Sequence, residues 1–412
     1  MPPSQYSPRW ADSELATLVS THPAVLVVGP RACGKTTTAA RHAETVVRLD
    51  RPAEAAAFAA DPDAALVGLA EPVMLDEWQL VPSILGAIKR AVDDDPRPGR
   101  FIVTGSVRGD LDAPTWPGTG RLVRLPMAPL SIREQVDRLA RRSLVDTVID
   151  GEPPTIAPNS PDLPGYIALA LRGGFPEPAL LLADDDARRR WAESYVDQLL
   201  TRDAAALEDR DPGKLRSFLE AFTLTSAGVV NDTTLFDAAA INRKTALAYE
   251  RLLENLLVVR SLRPLAGRRL SRIALGAKRL LIDPSLFVGV LGLDTLAVMR
   301  DGDLIGRVLE TFVVAQLQAE ADRAHTRVRF FHLRQDRGRR EIDVVLELPD
   351  GRIIGAEVKA TAAPKSDDAR HLAWLRDQLG VAFVAGIVFH TGPRAFSLGD
   401  RLSALPISTL WG

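Results

Sequence analysis

The strongest chemical signal in the chain is a run of eight residues, GPRACGKT: Gly29, Pro30, Arg31, Ala32, Cys33, Gly34, Lys35 and Thr36, with Thr37 next in line. The spacing is G-x-x-x-x-G-K-[ST], a pattern that cradles phosphate. Glycines at both ends let backbone N–H groups turn inward around an anion. Lys35 supplies a cation for β- and γ-phosphates, and the Thr36 hydroxyl is a hard oxygen ligand for Mg²⁺. Such a loop needs a strand before it and a helix behind it. AVLVV at 24–28 reads as the strand and 36–44 as the helix, whose N-terminus adds partial positive charge. These residues call for ATP and Mg²⁺ as ligands. Cys33 reads as a small packed residue, because the chain holds no second cysteine to resolve a redox switch.

A phosphate loop that hydrolyses its nucleotide also needs acids beside it. Asp76 and Glu77 end the apolar run PVML, where the first can hold the metal and the second can orient the attacking water. Thr104 and Ser106, in FIVTGS, close the next apolar run; they fit either a γ-phosphate or water contact or a turn. Arg121 precedes RLVRL's apolar residues and fits either an arginine finger, in cis or from a neighbour, or a surface arginine.

Positioning these groups requires a sheet. Runs at 24–28, 45–49, 72–75, 101–104 and 121–125 are short, continuous and rich in Val, Leu and Ile, as strands covered on both faces by helices are. The expected fold class is α/β, a P-loop sandwich with a mostly parallel sheet over 1–150. Five prolines in 151–165 mark a linker. Residues 166–290 read as helical and 291–412 as a second, smaller α/β domain. With 412 residues, 46% hydrophobic and 25% charged, the chain suits a soluble multidomain protein, and a net charge of -2 argues against a uniformly basic surface. A single cysteine excludes an intrachain disulfide and a Cys-based zinc site. No apolar run reaches the ~20 residues of a membrane span, so a cytoplasmic chain without membrane partners is expected.

Two further segments carry chemistry. Asp232 and Asn242 can cap two helices, 233–239 and 243–256, joined by Ile241-Asn242. Arg243, Lys244 and Thr245 open the second helix, whose apolar face holds Ala246, Leu247, Tyr249, Leu252, Leu253 and Leu256. A short strand, 257–259, and seven basic residues between Arg260 and Arg279 follow, including Arg268, Arg269, Arg272 and Lys278, with no Asp or Glu among them. This reads as a winged helix, serving either DNA or internal packing. In the last domain Glu341, Asp343 and Glu347 share one strand face, and Glu357 and Lys359 share a face of the next. The D-x13-E-V-K spacing resembles the core of restriction-endonuclease-like enzymes. By that resemblance Asp343 and Glu357 would hold Mg²⁺, Lys359 would support attack on phosphate, and Glu310 would add a carboxylate from the preceding helix. The same residues also suit a binding domain that keeps acids without cutting.

Taken together, GPRACGKT, LD at 49–50, PVMLDE, FIVTGS, GTGRLVRLPMAPLSIRE and GGFPEP resemble a bacterial and archaeal family of AAA-type ATPases with a C-terminal domain of unknown function numbered 4143. LLIDPSLF, GRVLETFVVAQL, EIDVVLE and GAEVKA resemble its later segments. Members often carry glycine at the position of Cys33, and any small residue fits. The resemblance implies an ASCE-type P-loop core with Thr104 or Ser106 as sensor and Arg121 as a finger, and a winged helix; it implies an architecture more firmly than a task. Read as a whole, the residues point to an ATPase acting on nucleic acid, DNA first, with a homo-oligomer as one working form, or else to a nucleotide-switched protein-binding module.

Overall fold

A computed structural model describes residues 6–106, 120–203, 211–229, 232–265, 276–335 and 339–412. The chain divides into two compact units. The first comprises Met1–Leu130, Phe175–Glu177 and Leu253–Val258; the second comprises Ser131–Gly174, Pro178–Leu252 and Val259–Gly412.

In the first unit the five apolar runs are strands: β1 (Ala24–Val28), β2 (Thr45–Arg48), β3 (Val73–Asp76), β4 (Phe101–Gly105) and β5 (Leu122–Pro126). They form one parallel sheet in the order β2-β3-β4-β1-β5. Helices α1 (Trp10–Thr21), α2 (Lys35–Ala40), α3 (Pro52–Ala60), α4 (Pro62–Leu66) and α5 (Ile84–Asp94) connect and cover it. Every residue of β1, β3 and β4 is buried, which is why these strands carry no polar alternation. Helix α5 turns Ile84, Leu85, Ala87, Ile88 and Val92 inward against Leu26, Leu75 and Val103. The helix expected through residue 44 stops at Ala40. The chain turns there, with Arg41 N–H donating to Thr38 O and His42 N–H to Ala39 O.

The second unit holds helices α6 (Ile132–Gln135), α7 (Leu144–Ile149), α8 (Leu163–Arg172), α9 (Asp185–Gln198), α10 (Pro212–Leu224), α11 (Asp232–Ala238), α12 (Arg243–Asn255), α13 (Leu286–Leu291), α14 (Thr295–Met299), α15 (Gly302–Asp322) and α16 (Arg370–Leu379). Its strands are β6 (Val259–Pro264), β7 (Lys278–Leu281), β8 (Arg329–Gln335), β9 (Arg340–Glu347), β10 (Ile353–Lys359), β11 (Phe383–His390), β12 (Phe396–Gly399) and β13 (Leu402–Pro406). The mixed sheet has the order β12-β13-β11-β10-β9-β8-β6-β7. Leu333, Ile342, Val345, Leu372, Leu375 and Val388 build its core against α16.

Two expected boundaries fall elsewhere. The units change at Leu130 and not in the proline-rich stretch, because the segment after Leu130 is tied into the second unit. Buried Arg133 donates to both Glu320 oxygens, at 2.6 and 3.2 Å, and to Gly412 O at 3.1 Å. Nor do the compact units divide after residue 290. Strand β6 pairs antiparallel with β7 and parallel with β8, so the middle region and the C-terminal region share one sheet. Among the described residues, no helix is long and apolar enough to cross a membrane.

Candidate functional site

Helix α2 starts where β1 ends, and the six residues between them form the loop. Gly29 cannot be replaced by a larger residue: a Cβ there would lie 2.1 Å from Met127 O. Gly34 has φ 98°, the left-handed conformation that glycine adopts freely. Cys33 is fully buried, its Sγ 3.5 Å from Met127 O, which makes it a packing residue of the loop. Pro30 is buried, and Arg31, Ala32 and Thr37 are exposed. Lys35 is buried and its Nζ donates to Pro30 O at 2.9 Å, so its charge rests on a loop carbonyl and not on a carboxylate.

Strand β3 lies two places from β1, with β4 between them, so Asp76 and Thr104 stand at the carboxyl edge beside the loop. The Thr36 hydroxyl donates to Asp76 Oδ1 at 2.9 Å, and Thr104 Oγ1 donates to the same oxygen. Among the described residues, the side-chain hydrogen-bond partners of buried Asp76 are these two neutral hydroxyls. Glu77 adopts φ 59°, which turns its side chain out of the strand line. Ser106 Oγ donates to Glu77 Oε2 at 3.3 Å, Gln79 Nε2 donates to that oxygen too, and Gln79 also reaches Ser106 Oγ at 3.2 Å. Thr104 and Ser106 are therefore not mere turn residues; each holds one acid. An Mg²⁺ ion fits this donor set, since hard oxygens from Thr36 and Asp76 meet at the loop.

Arg121 is placed differently. Leu122 pairs with Ala24, at the start of β1, so Arg121 lies at the amino edge of the sheet. A strand length, roughly 16 Å at ~3.3 Å per residue, separates it from the loop. Its Nε donates to Asp93 Oδ1 at 2.7 Å. This geometry does not favour a cis finger, and the Asp93 pair suits a surface arginine.

Two residues of this site carried no recognisable pattern in the sequence. One is Gln79. The other is Arg9, 4% exposed, which donates to Cys33 O at 2.9 Å and Ala128 O at 2.7 Å and so clamps the loop from behind. Tyr6 bonds Thr38 of α2 and Asp12 of α1, at 2.9 and 2.8 Å, and the Arg41 guanidinium sits 4.3 Å from its ring centre.

In the second unit, α11 and α12 stand close to the expected positions, and Asn242 Oδ1 caps α12 by accepting from Thr245 N–H at 2.9 Å. Arg243 and Lys244 are exposed at the helix start. Leu247, expected in the core, is 36% exposed. The strand expected at 257–259 starts only at its last residue: β6 runs from Val259 to Pro264, and β7 returns beside it. The basic stretch is partly spent inside the fold: Arg279 pairs with Glu250 at 2.7 Å and Lys278 is fully buried. Arg268, Arg269 and Arg272 lie outside the described residues.

The C-terminal acids are not gathered into a metal cage. Glu310 Oε1 and Asp343 Oδ1 share the Lys278 ammonium, at 2.5 and 3.1 Å. Glu357 Oε2 pairs with Lys359 at 3.0 Å, and its Oε1 is buried without a hydrogen-bond partner. His371 Nδ1 stands 3.8 Å from that oxygen. Among the described residues, no three His, Cys, Asp or Glu side chains form a group that could hold a metal. Burial, then the Asp343 charge, push the Glu310 carboxyl up to about 8. Burial pushes Glu357 up to about 7. Burial also works against the Lys278 ammonium, but Glu310 and Asp343 outweigh it and hold it protonated above the ordinary lysine range.

A parallel sheet with a phosphate loop, and acids at the carboxyl edge of the strand two places away, are the features of a P-loop nucleotide domain. Comparison with known families agrees. Residues 21–136 match the family described as an AAA domain, 164–297 a domain of unknown function numbered 8612, and 305–410 the domain of unknown function numbered 4143. The chain thus matches, in order, an AAA domain and that C-terminal domain. Uncharacterized proteins Rv2008c of Mycobacterium tuberculosis and Mb2031c of Mycobacterium bovis are each 27% identical over 406 residues, covering 97% of this chain and 83% of theirs. Among solved structures, the Walker-type ATPase PABY2304 of Pyrococcus abyssi aligns at 15% identity and TM-score 0.43, over 70% of this chain and 97% of that one.

Proposed function

We propose that this protein binds and hydrolyses ATP and couples hydrolysis to nucleic acid held by its second unit. One observation carries the first half: a single carboxylate, Asp76, accepts from both Thr36 of the loop and Thr104 of the next strand, while Glu77 is held apart by Ser106 and Gln79. Thr36 and Asp76 would hold Mg²⁺, which when bound would neutralise phosphate charge. Lys35 would exchange the Pro30 carbonyl for the β/γ-phosphates. Glu77, aimed by its two neutral partners, would accept hydrogen bonds from the attacking water and orient it. Arg121 would act on a neighbouring copy, which makes an oligomer the working form.

The nucleic-acid half is supported by exposed Arg243 and Lys244 at the start of α12, backed by a β-hairpin, an arrangement that suits a winged helix. Phosphate contact there would be electrostatic and salt-dependent. A second reading keeps the ATPase but makes the second unit a nucleotide-switched protein-binding module with an inactive nuclease-like domain; buried Lys278 among the acids favours it. Phosphate release measured with and without single- and double-stranded DNA separates the two. Stimulation lost in Arg243→Ala/Lys244→Ala supports action on nucleic acid. Release unchanged by either DNA rejects it in favour of the second reading.

A further inference from the structure

The acids of the C-terminal sheet raise a question that their sequence spacing leaves open: which cation they serve. Glu310 on α15 and Asp343 on β9 come from distant parts of the chain and converge on one point. At that point stands the Lys278 ammonium, delivered by β7, wholly shielded from solvent. Its register is fixed, since Lys278 pairs with Leu262 of β6. Both oxygens of Asp343 are in use: Oδ1 accepts from Lys278, and Oδ2 accepts from Val358 N–H at 2.9 Å. Glu341 adds a third acid at 3.9 Å from the ammonium. Glu357 pairs with its own lysine, Lys359, and also feels the Asp343 charge.

We propose that Lys278 is the permanent cation of this cluster, standing where a divalent metal would otherwise bind, and that the domain takes up no Mg²⁺ or Mn²⁺ between the Glu310 and Asp343 oxygens. A divalent ion sits ~2.0–2.2 Å from its oxygen ligands, and an ion at that range from Glu310 Oε1 and Asp343 Oδ1 would coincide with the lysine nitrogen. Nor can the lysine withdraw at low cost. It has no exposed surface to retreat to, and removing it leaves two partly buried carboxylates facing one another. The converse follows as well: a shorter apolar side chain at 278 vacates a hole lined by Glu310 and Asp343 oxygens, which is the donor set that Mn²⁺ prefers. The inference stands whether or not the second unit handles nucleic acid.

The test uses the full-length, nucleotide-free protein and MnCl₂, with the resonance signal of free Mn²⁺ as the readout. The wild type should leave that signal unchanged at this site, so that Asp343→Asn makes no difference. Lys278→Met should take up one further Mn²⁺ per chain, lost again when Asp343→Asn is added. Should Lys278→Met fold poorly, Mn²⁺ should restore its circular dichroism, because the ion replaces the missing charge. Uptake by the wild type that falls in Asp343→Asn overturns the proposal. So does a Lys278→Met protein that neither binds Mn²⁺ nor regains structure with it.

Discussion

The carboxyl edge of the first sheet and the acidic cluster of the second are made of the same residue types, lysine and carboxylates, yet they are wired in opposite ways. At the first, Lys35 rests on the Pro30 carbonyl and Asp76 on two hydroxyls, so cation and anion are kept apart. At the second, Lys278 lies between Glu310 and Asp343, and Lys359 against Glu357, so each charge is already answered. Separated charges can exchange a neutral partner for a ligand at small cost. Paired buried charges cannot, since breaking such a pair leaves an uncompensated ion. The difference teaches that a list of chemically able residues does not make a site; what matters is whether the fold has left them available.

The largest effect expected is at the separated pair. Glu77→Gln should bind ATP and slow its hydrolysis on the order of 100-fold, as loss of a water-orienting base does. Gln79→Ala, which frees Glu77 without removing it, should cost about tenfold, and kcat should carry the loss rather than KM. Normal turnover in both variants would deny Glu77 its role and erase the contrast at its first term.

At the answered pair the effect should fall on stability and not on turnover. Lys278→Met should destabilise the second unit by about 3–5 kcal/mol, the range for an orphaned buried charge. Lys359→Met should do far less, because its side chain is 35% exposed. Equal melting shifts in denaturant titrations would show the two lysines to be alike.

These expectations rest unevenly on what the sequence could tell. The phosphate loop was legible because its residues are contiguous: glycine, lysine and threonine at fixed spacing impose the geometry locally, and the strand and helix around it follow from one apolar run and its successor. All five strands of the first sheet were readable for the same reason. Asp76 was legible as an acid ending a strand. Gln79 and Arg9 were not, because their partners are Ser106 and the carbonyls of Cys33 and Ala128, contacts set by folding alone. Arg121 was left open between a finger and a surface residue, since its partner Asp93 is set by folding alone. Lys278 was read as one more charge in a basic run; only the pairing of β6 with β7 and β8 turns it inward toward α15. The shared sheet also hid the boundary expected at residue 290.

A subtler effect should follow pH. Burial raises Glu357 to about 7 in the folded protein, against an ordinary value of 4.5. The folded state therefore holds a proton that the unfolded state has released, and this group's contribution to stability is lost as pH rises between those values. Glu357→Gln should accordingly gain stability relative to the wild type from about pH 4.5 to about pH 7, by denaturant titration at each pH. A difference that is flat across that window would place Glu357 in a more solvated setting than this.

The most direct test of the central claim is phosphate release in Mg²⁺ by the wild-type protein beside Lys35→Ala. An open, separated-charge site predicts release by the wild type that falls at least about 100-fold in the variant, where the transferring phosphate loses its cation. Equal release from the two proteins, or none from wild type that has bound ATP, would contradict it.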